Sequence, residues 1–174
     1  MAAPTSSILK SSLPPAPLER TIRIAVDADV YGLRQAVRVF SAGLGFARIP
    51  QGELVIAASE LASNILKYAG QGEITLRRVV DPTGRIGIEI AAHDQGPPIL
   101  DFAAALRDGW SEGGPIDPMA LLRRRGIGAG LGAVARFSDR LYYEPNDRSG
   151  KSIVAQRFIY RRSSLLPKAR RYGG

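Results

Sequence analysis

Two apolar-alternating segments, residues 73–80 and 85–92, flank the tetrapeptide Asp81-Pro82-Thr83-Gly84. Proline at the second turn position presets φ, and glycine at the fourth is well tolerated, so the chain reverses here. The pattern predicts an antiparallel hairpin, which anchors any sheet this chain can build.

Helical and strand periods alternate around it. Residues 21–26 read as a strand, and Asp27 or Asp29 is placed to cap a helix with Leu33, Val37, Phe40 and Leu44 on one face, closed by Gly43 and Gly45. Pro50 is expected to open a second helix that runs to about Tyr68, with Leu54, Ala58, Leu61 and Ile65 as its apolar stripe and Gly70 as its stop. Residues 99–107 suggest a short helix, 109–130 a long connection containing Arg123-Arg124-Arg125, and 131–137 another helix. Strands near 140–144 and 152–160 surround the turn at 145–150. The expected fold is α/β, a two-layer sandwich in which a mixed sheet carries its helices mainly on one face.

Length and charge set the bounds. A chain of 174 residues suits one domain with a single core. Of the formal +8, Arg161, Arg162, Lys168, Arg170 and Arg171 supply five, and Lys10, Arg20 and Glu19 a net one, so residues 21–160 carry +2. The expected organisation is a flexible arm over 1–20, a domain over 21–160 and a basic, solvated tail over 161–174. No alternation of aromatic and basic residues of the single-strand-binding kind is present, and no nucleic acid is expected. The chain has no cysteine, which excludes disulfides and thiolate metal sites. No apolar run reaches the roughly 20 residues of a membrane span, so no membrane role is expected and the cytoplasm is the expected compartment.

Three motifs carry chemistry. On the second helix, Glu60 and Asn64 of Glu60-Leu61-Ala62-Ser63-Asn64 stand one turn apart beside the apolar stripe, and Lys67 follows on the same side. Taken alone, the first two also fit a surface polar pair. A carboxylate, an amide and an ammonium on one face suit a hydroxyl or water, a magnesium ion and a phosphate. Asp94-Gln95-Gly96 ends the second hairpin segment: a carboxylate there can accept from the exocyclic amine of adenine, and Gly96 permits close approach. An ordinary turn fits the same residues. Gly126, Gly128, Gly130 and Gly132 precede a helical pattern, where exposed amides attract phosphate or serve as a hinge. This run is neither a Walker A loop nor a dinucleotide fingerprint. His93, the single histidine, reads as packed or solvated.

Together and in this order the motifs resemble the nucleotide site of the GHKL-type ATPases, the family shared by gyrase, the Hsp90 chaperones, histidine kinases and MutL. The resemblance covers about residues 21–160. It is closest to the anti-sigma-factor serine/threonine kinases, and among them to the switch kinase of the stressosome, through Ser59-Glu60-Leu61-Ala62-Ser63-Asn64, Tyr68-Ala69-Gly70, Asp94-Gln95-Gly96-Pro97, Asp108-Gly109-Trp110-Ser111 and Gly128-Ala129-Gly130-Leu131-Gly132-Ala133-Val134. Pro98 stands where the family has a second glycine, and 115–125 is long for this branch.

The resemblance implies ATP and Mg2+. Glu60 would activate or orient the attacking group, Asn64 would hold the metal, and Lys67 would meet phosphate. Asp94 with Gly96 would receive adenine, helped by the hydroxyl of Ser152, and Gly128, Gly130 and Gly132 would form the lid. The implied activity is transfer of phosphate to a STAS-domain protein in a bacterial partner-switching pathway, with a phosphatase or a sigma factor as further partner. Alternatives are a non-catalytic, nucleotide-responsive binding module, which Pro98 and the long lid favour, and an anti-sigma factor that sequesters its sigma factor.

Overall fold

The structure, a computed structural model, describes residues 18–106, 110–111, 114–115, 130–145 and 150–160. Strand β1 (Glu19–Ile24) leads into α1 (Asp27–Leu44) and α2 (Arg48–Tyr68), and the predicted hairpin follows as β2 (Gly72–Val80) and β3 (Ile86–Asp94). Next come the single turn α3 (Phe102–Ala105), the two-residue strands β4 (Trp110–Ser111) and β5 (Gly114–Pro115), and α4 (Gly130–Arg136). Strands β6 (Arg140–Pro145) and β7 (Lys151–Phe158) complete the order.

The main sheet runs β1-β2-β3-β7-β6, and each of its pairings is antiparallel, whereas a mixed sheet was expected. A single helix between strands returns the chain for a parallel partner. Here α1 and α2 make two passes, so β2 re-enters opposite to β1. Strand β6 does run in the direction of β3, but β7 lies between them.

The helices cover one face, as expected. Leu33, Val37 and Phe40 of α1 and Leu54, Ala58, Leu61 and Ile65 of α2 are buried with Ile24, Ile74, Leu76, Ile88, Ile90, Ile153 and Ala155 of the sheet. Helix α4 packs against α2 and adds Leu131 and Val134. The N-terminus of α1 is closed from inside its first turn: Asp29 accepts from the amides of Ala25 and Val26 at 2.8 and 2.9 Å. Those two amides hold its carboxyl below the usual carboxylate value. Pro50 sits third in α2 rather than first, a position still without a helical hydrogen bond to lose.

The other face of the sheet carries polar ladders. Arg77 donates to Glu19 at 2.9 Å and to Glu89 at 3.0 Å, and Gln156 donates to Glu89 at 2.7 Å, linking four strands in one row.

At the hairpin turn, the buried Asp81 carboxylate accepts from the Thr83 amide and hydroxyl and from the Arg85 amide and guanidinium, at 2.7 to 2.9 Å. Burial alone would raise its pKa, but these bonds outweigh burial and hold it well below the ordinary carboxylate range. A carboxyl more acidic in the folded than in the unfolded chain contributes its full stability above about pH 4 and loses it as pH falls toward the folded value. Asp81→Asn should therefore melt lower than the unaltered chain at pH 7 and lose less on acidification from pH 5 to 2. Equal losses for both proteins, followed by circular dichroism, would show that the turn does not depend on this charge.

Candidate nucleotide site

Helix α2 presents the first motif with graded exposure. Glu60 is buried at 7% exposure, Asn64 one turn later is half-buried, and Lys67 is exposed. The Lys67 ammonium lies 4.9 Å from the centre of the Tyr68 ring. Beside Glu60, the Ser59 hydroxyl donates to the Val55 carbonyl at 2.7 Å and accepts from Arg34 Nε of α1 at 3.0 Å. That link fixes the rotation of α2 against α1 at the level of the carboxylate.

The second motif is brought to the C-terminal end of the same helix. Strand β3 extends through Asp94, whose carboxylate belongs to the helix-facing side with Ile88, Ile90 and Ala92. A Cβ on Gly96 would lie 2.9 Å from the Tyr68 carbonyl, the Ala69 Cβ and Asp94 Oδ1, so only glycine lets the loop sit this close to α2. The Gly96 amide donates to Asp94 Oδ1 at 2.8 Å. Beyond the two prolines, the Ile99 amide donates to the Tyr143 hydroxyl at 2.8 Å, and Phe102 stacks on Tyr143 with centroids 5.0 Å apart. These contacts tie the exit loop to β6.

Of the glycine run, Gly130 and Gly132 belong to α4, which begins one residue earlier than the pattern suggests. Gly130 has φ +54, and Gly132 is buried in the first turn. Gly128, most of the proposed lid and Arg123-Arg124-Arg125 lie outside the described residues.

Ser152 is not where the adenine reading needs it. In the β3–β7 register it pairs with His93, and His93 Nδ1 and Ser152 Oγ are 3.1 Å apart on the face away from the helices. Its neighbour Lys151 takes the inward position, cross-strand from Asp94, because side chains alternate along a strand and Ile153 and Ala155 set the inward parity. Lys151 Nζ lies 2.7 Å from Asp94 Oδ1 and 3.0 Å from the Pro97 carbonyl. The residues are 3% and 4% exposed, so this is a buried ion pair at the site. A Cβ on Gly150, at φ +93, would run into the Asp94 carbonyl, so glycine there lets β7 approach β3 closely beside that pair.

The arrangement therefore gathers a carboxylate and an amide on one helix, a buried carboxylate at a strand end packed against that helix, and the glycine-rich start of α4 on the helix flank. No helix among the described residues is long and apolar enough to cross a membrane.

Known proteins share this plan. The family described as histidine kinase-like ATPase domain matches residues 25–157. The chain is 36% identical over 138 residues to the serine/threonine-protein kinase RsbT of Bacillus subtilis, covering 79% of this chain and 95% of the relative. Among solved structures, the RsbU and RsbW domains of a Mycobacterium tuberculosis protein superpose with a TM-score of 0.50 at 13% identity, over 82% of this chain and 33% of that one. That second likeness is one of fold, and the chain spans a third of the solved protein's length. With the family match over most of its length and a relative aligned nearly end to end, the chain belongs to the histidine kinase-like ATPase domain family and is a protein serine/threonine kinase within it.

Proposed function

We propose that this kinase uses ATP and Mg2+ to phosphorylate a STAS-domain protein in a bacterial partner-switching pathway, in the cytoplasm. The observation that supports this most is the seating of Gly96 on the end of α2, which puts the Asp94 loop beside the helix that carries Glu60 and Asn64. A base bound at Asp94 and phosphates running along α2 toward Asn64 would then fall within one cleft.

In this reading Asp94 and Gly96 receive adenine. The backbone of Gly128, Gly130 and Gly132, together with Lys67, meets the phosphates. Asn64 offers a single amide oxygen, which suits Mg2+, an ion that takes one or two protein ligands and fills its shell with phosphate oxygens and water. When bound, the ion would offset charge on the transferred phosphoryl group. Glu60 accepts the proton of the substrate serine or threonine hydroxyl as its oxygen bonds to the γ-phosphorus and the bond to the β-phosphate oxygen breaks, releasing ADP.

The test is transfer of label from γ-labelled ATP to purified STAS-domain proteins, with and without Mg2+. Labelled serine or threonine that depends on the metal is the expected result. A stable complex formed without any phosphate transfer would replace this reading with a nucleotide-responsive binding module or a sequestering anti-sigma factor.

A further inference from the structure

Among the described residues, the Lys151–Asp94 pair leaves hydrogen-bonding capacity on both sides. Both hydrogen bonds to the carboxylate, from Lys151 Nζ and from the Gly96 amide, end on Oδ1. Among the described residues Oδ2 accepts none. An ammonium has three N–H donors, and Lys151 places two of them, on Asp94 and on the Pro97 carbonyl. Among the described residues this leaves one acceptor on the carboxylate and one donor on the ammonium it is paired with, at the end of β3.

A buried ion pair kept only for stability is a poor bargain, because desolvation offsets most of the attraction. This pair instead has the pattern of a reader. The edge of adenine presents an N6 amine, a donor, next to N1, an acceptor; guanine presents O6 and N1–H in the reverse sense. We propose that Lys151 is a base-specificity residue: its ammonium donates to N1 of adenine while Asp94 Oδ2 accepts from the N6 amine. The inference rests on the nucleotide reading above and adds to it a direct cationic contact to the base. Guanine would set carbonyl against carboxylate and N–H against ammonium, leaving both protein groups opposed.

The test is calorimetric titration of the full chain with ATP, 7-deaza-ATP, 1-deaza-ATP and GTP in the presence of Mg2+. ATP and 7-deaza-ATP should bind within about threefold of each other. Loss of N1 alone, in 1-deaza-ATP, should weaken binding about 10- to 100-fold, the range for a hydrogen bond from a charged donor. In Lys151→Met, ATP and 1-deaza-ATP should become equal within about twofold. Should the lone carboxylate prevent that variant from folding, the double variant Asp94→Asn/Lys151→Met leaves no unpaired buried charge, and the same equality is expected.

Unaltered protein that binds ATP and 1-deaza-ATP equally would overturn the proposal while leaving the nucleotide site in place. So would discrimination against 1-deaza-ATP that persists without Lys151, since some other group would then contact N1. Failure to bind any adenine nucleotide at millimolar concentration would remove the nucleotide reading and this inference together.

Discussion

Glu60→Gln should bind ATP within a few-fold of the unaltered chain and lose phosphoryl transfer by about 100- to 10,000-fold, the span that general base catalysis commonly contributes. The amide keeps the size of the side chain at a position only 7% exposed, so the packing of α2 beside Leu61 and against α1 is little disturbed. What it removes is the basicity that takes the hydroxyl proton. Asn64, one turn along, is unaltered, so the metal-dependent part of ATP binding should survive. Single-turnover transfer measured with saturating ATP separates the two effects. Equal rates for both proteins would take Glu60 out of the chemistry and leave it a structural carboxylate.

A structural disruption is expected from one methyl group. In Gly96→Ala the new Cβ meets three atoms at 2.9 Å, one a backbone carbonyl of Tyr68 and one the Cβ of Ala69, and neither is the end of a flexible side chain. The loop must lift from α2, at a cost of about 1 to 3 kcal/mol in stability by analogy with overpacked cores. Because Asp94 Oδ1 holds the Gly96 amide, the carboxylate moves with the loop, and ATP affinity should fall by more than tenfold, the equivalent of about 1.4 kcal/mol. Thermal melting and ATP titration of the same preparation check both parts. An unchanged melting point with unchanged affinity would mean that the loop does not rest on the helix end.

Much of this arrangement is legible in the residues. The stripe of Leu54, Ala58, Leu61 and Ile65 fixes the buried face of α2, and once that face is known the borders carrying Glu60 and Asn64 follow from helical spacing. The hairpin is equally plain, since Asp81-Pro82-Thr83-Gly84 leaves the chain no straight course.

Lys151 was harder. A lysine after glycine in a polar stretch looks like a surface residue, and the hydroxyl of Ser152 offered a more familiar partner for a base. The informative signal was parity: Ile153 and Ala155 share the face of Lys151, but Val154 makes the run apolar on both sides and blurs the alternation. The antiparallel direction of β7 beside β3 is hidden for a different reason. Strand direction depends on how many times the chain crosses between strands, and no local pattern records that count.

The strand order also decides where this sheet could grow. Among the described residues its outer strands are β1 and β6, the places where another chain's strand could add by backbone pairing. Strand β1 carries Glu19, Arg20 and Arg23, and β6 carries Arg140 and Glu144 before ending in Pro145, which has no amide to donate. An incoming strand would have to bring matching charges to both rims and do without a hydrogen bond at one of them. A kinase with both sheet rims so armed is thereby disposed to meet another chain through side chains rather than by extending its own sheet.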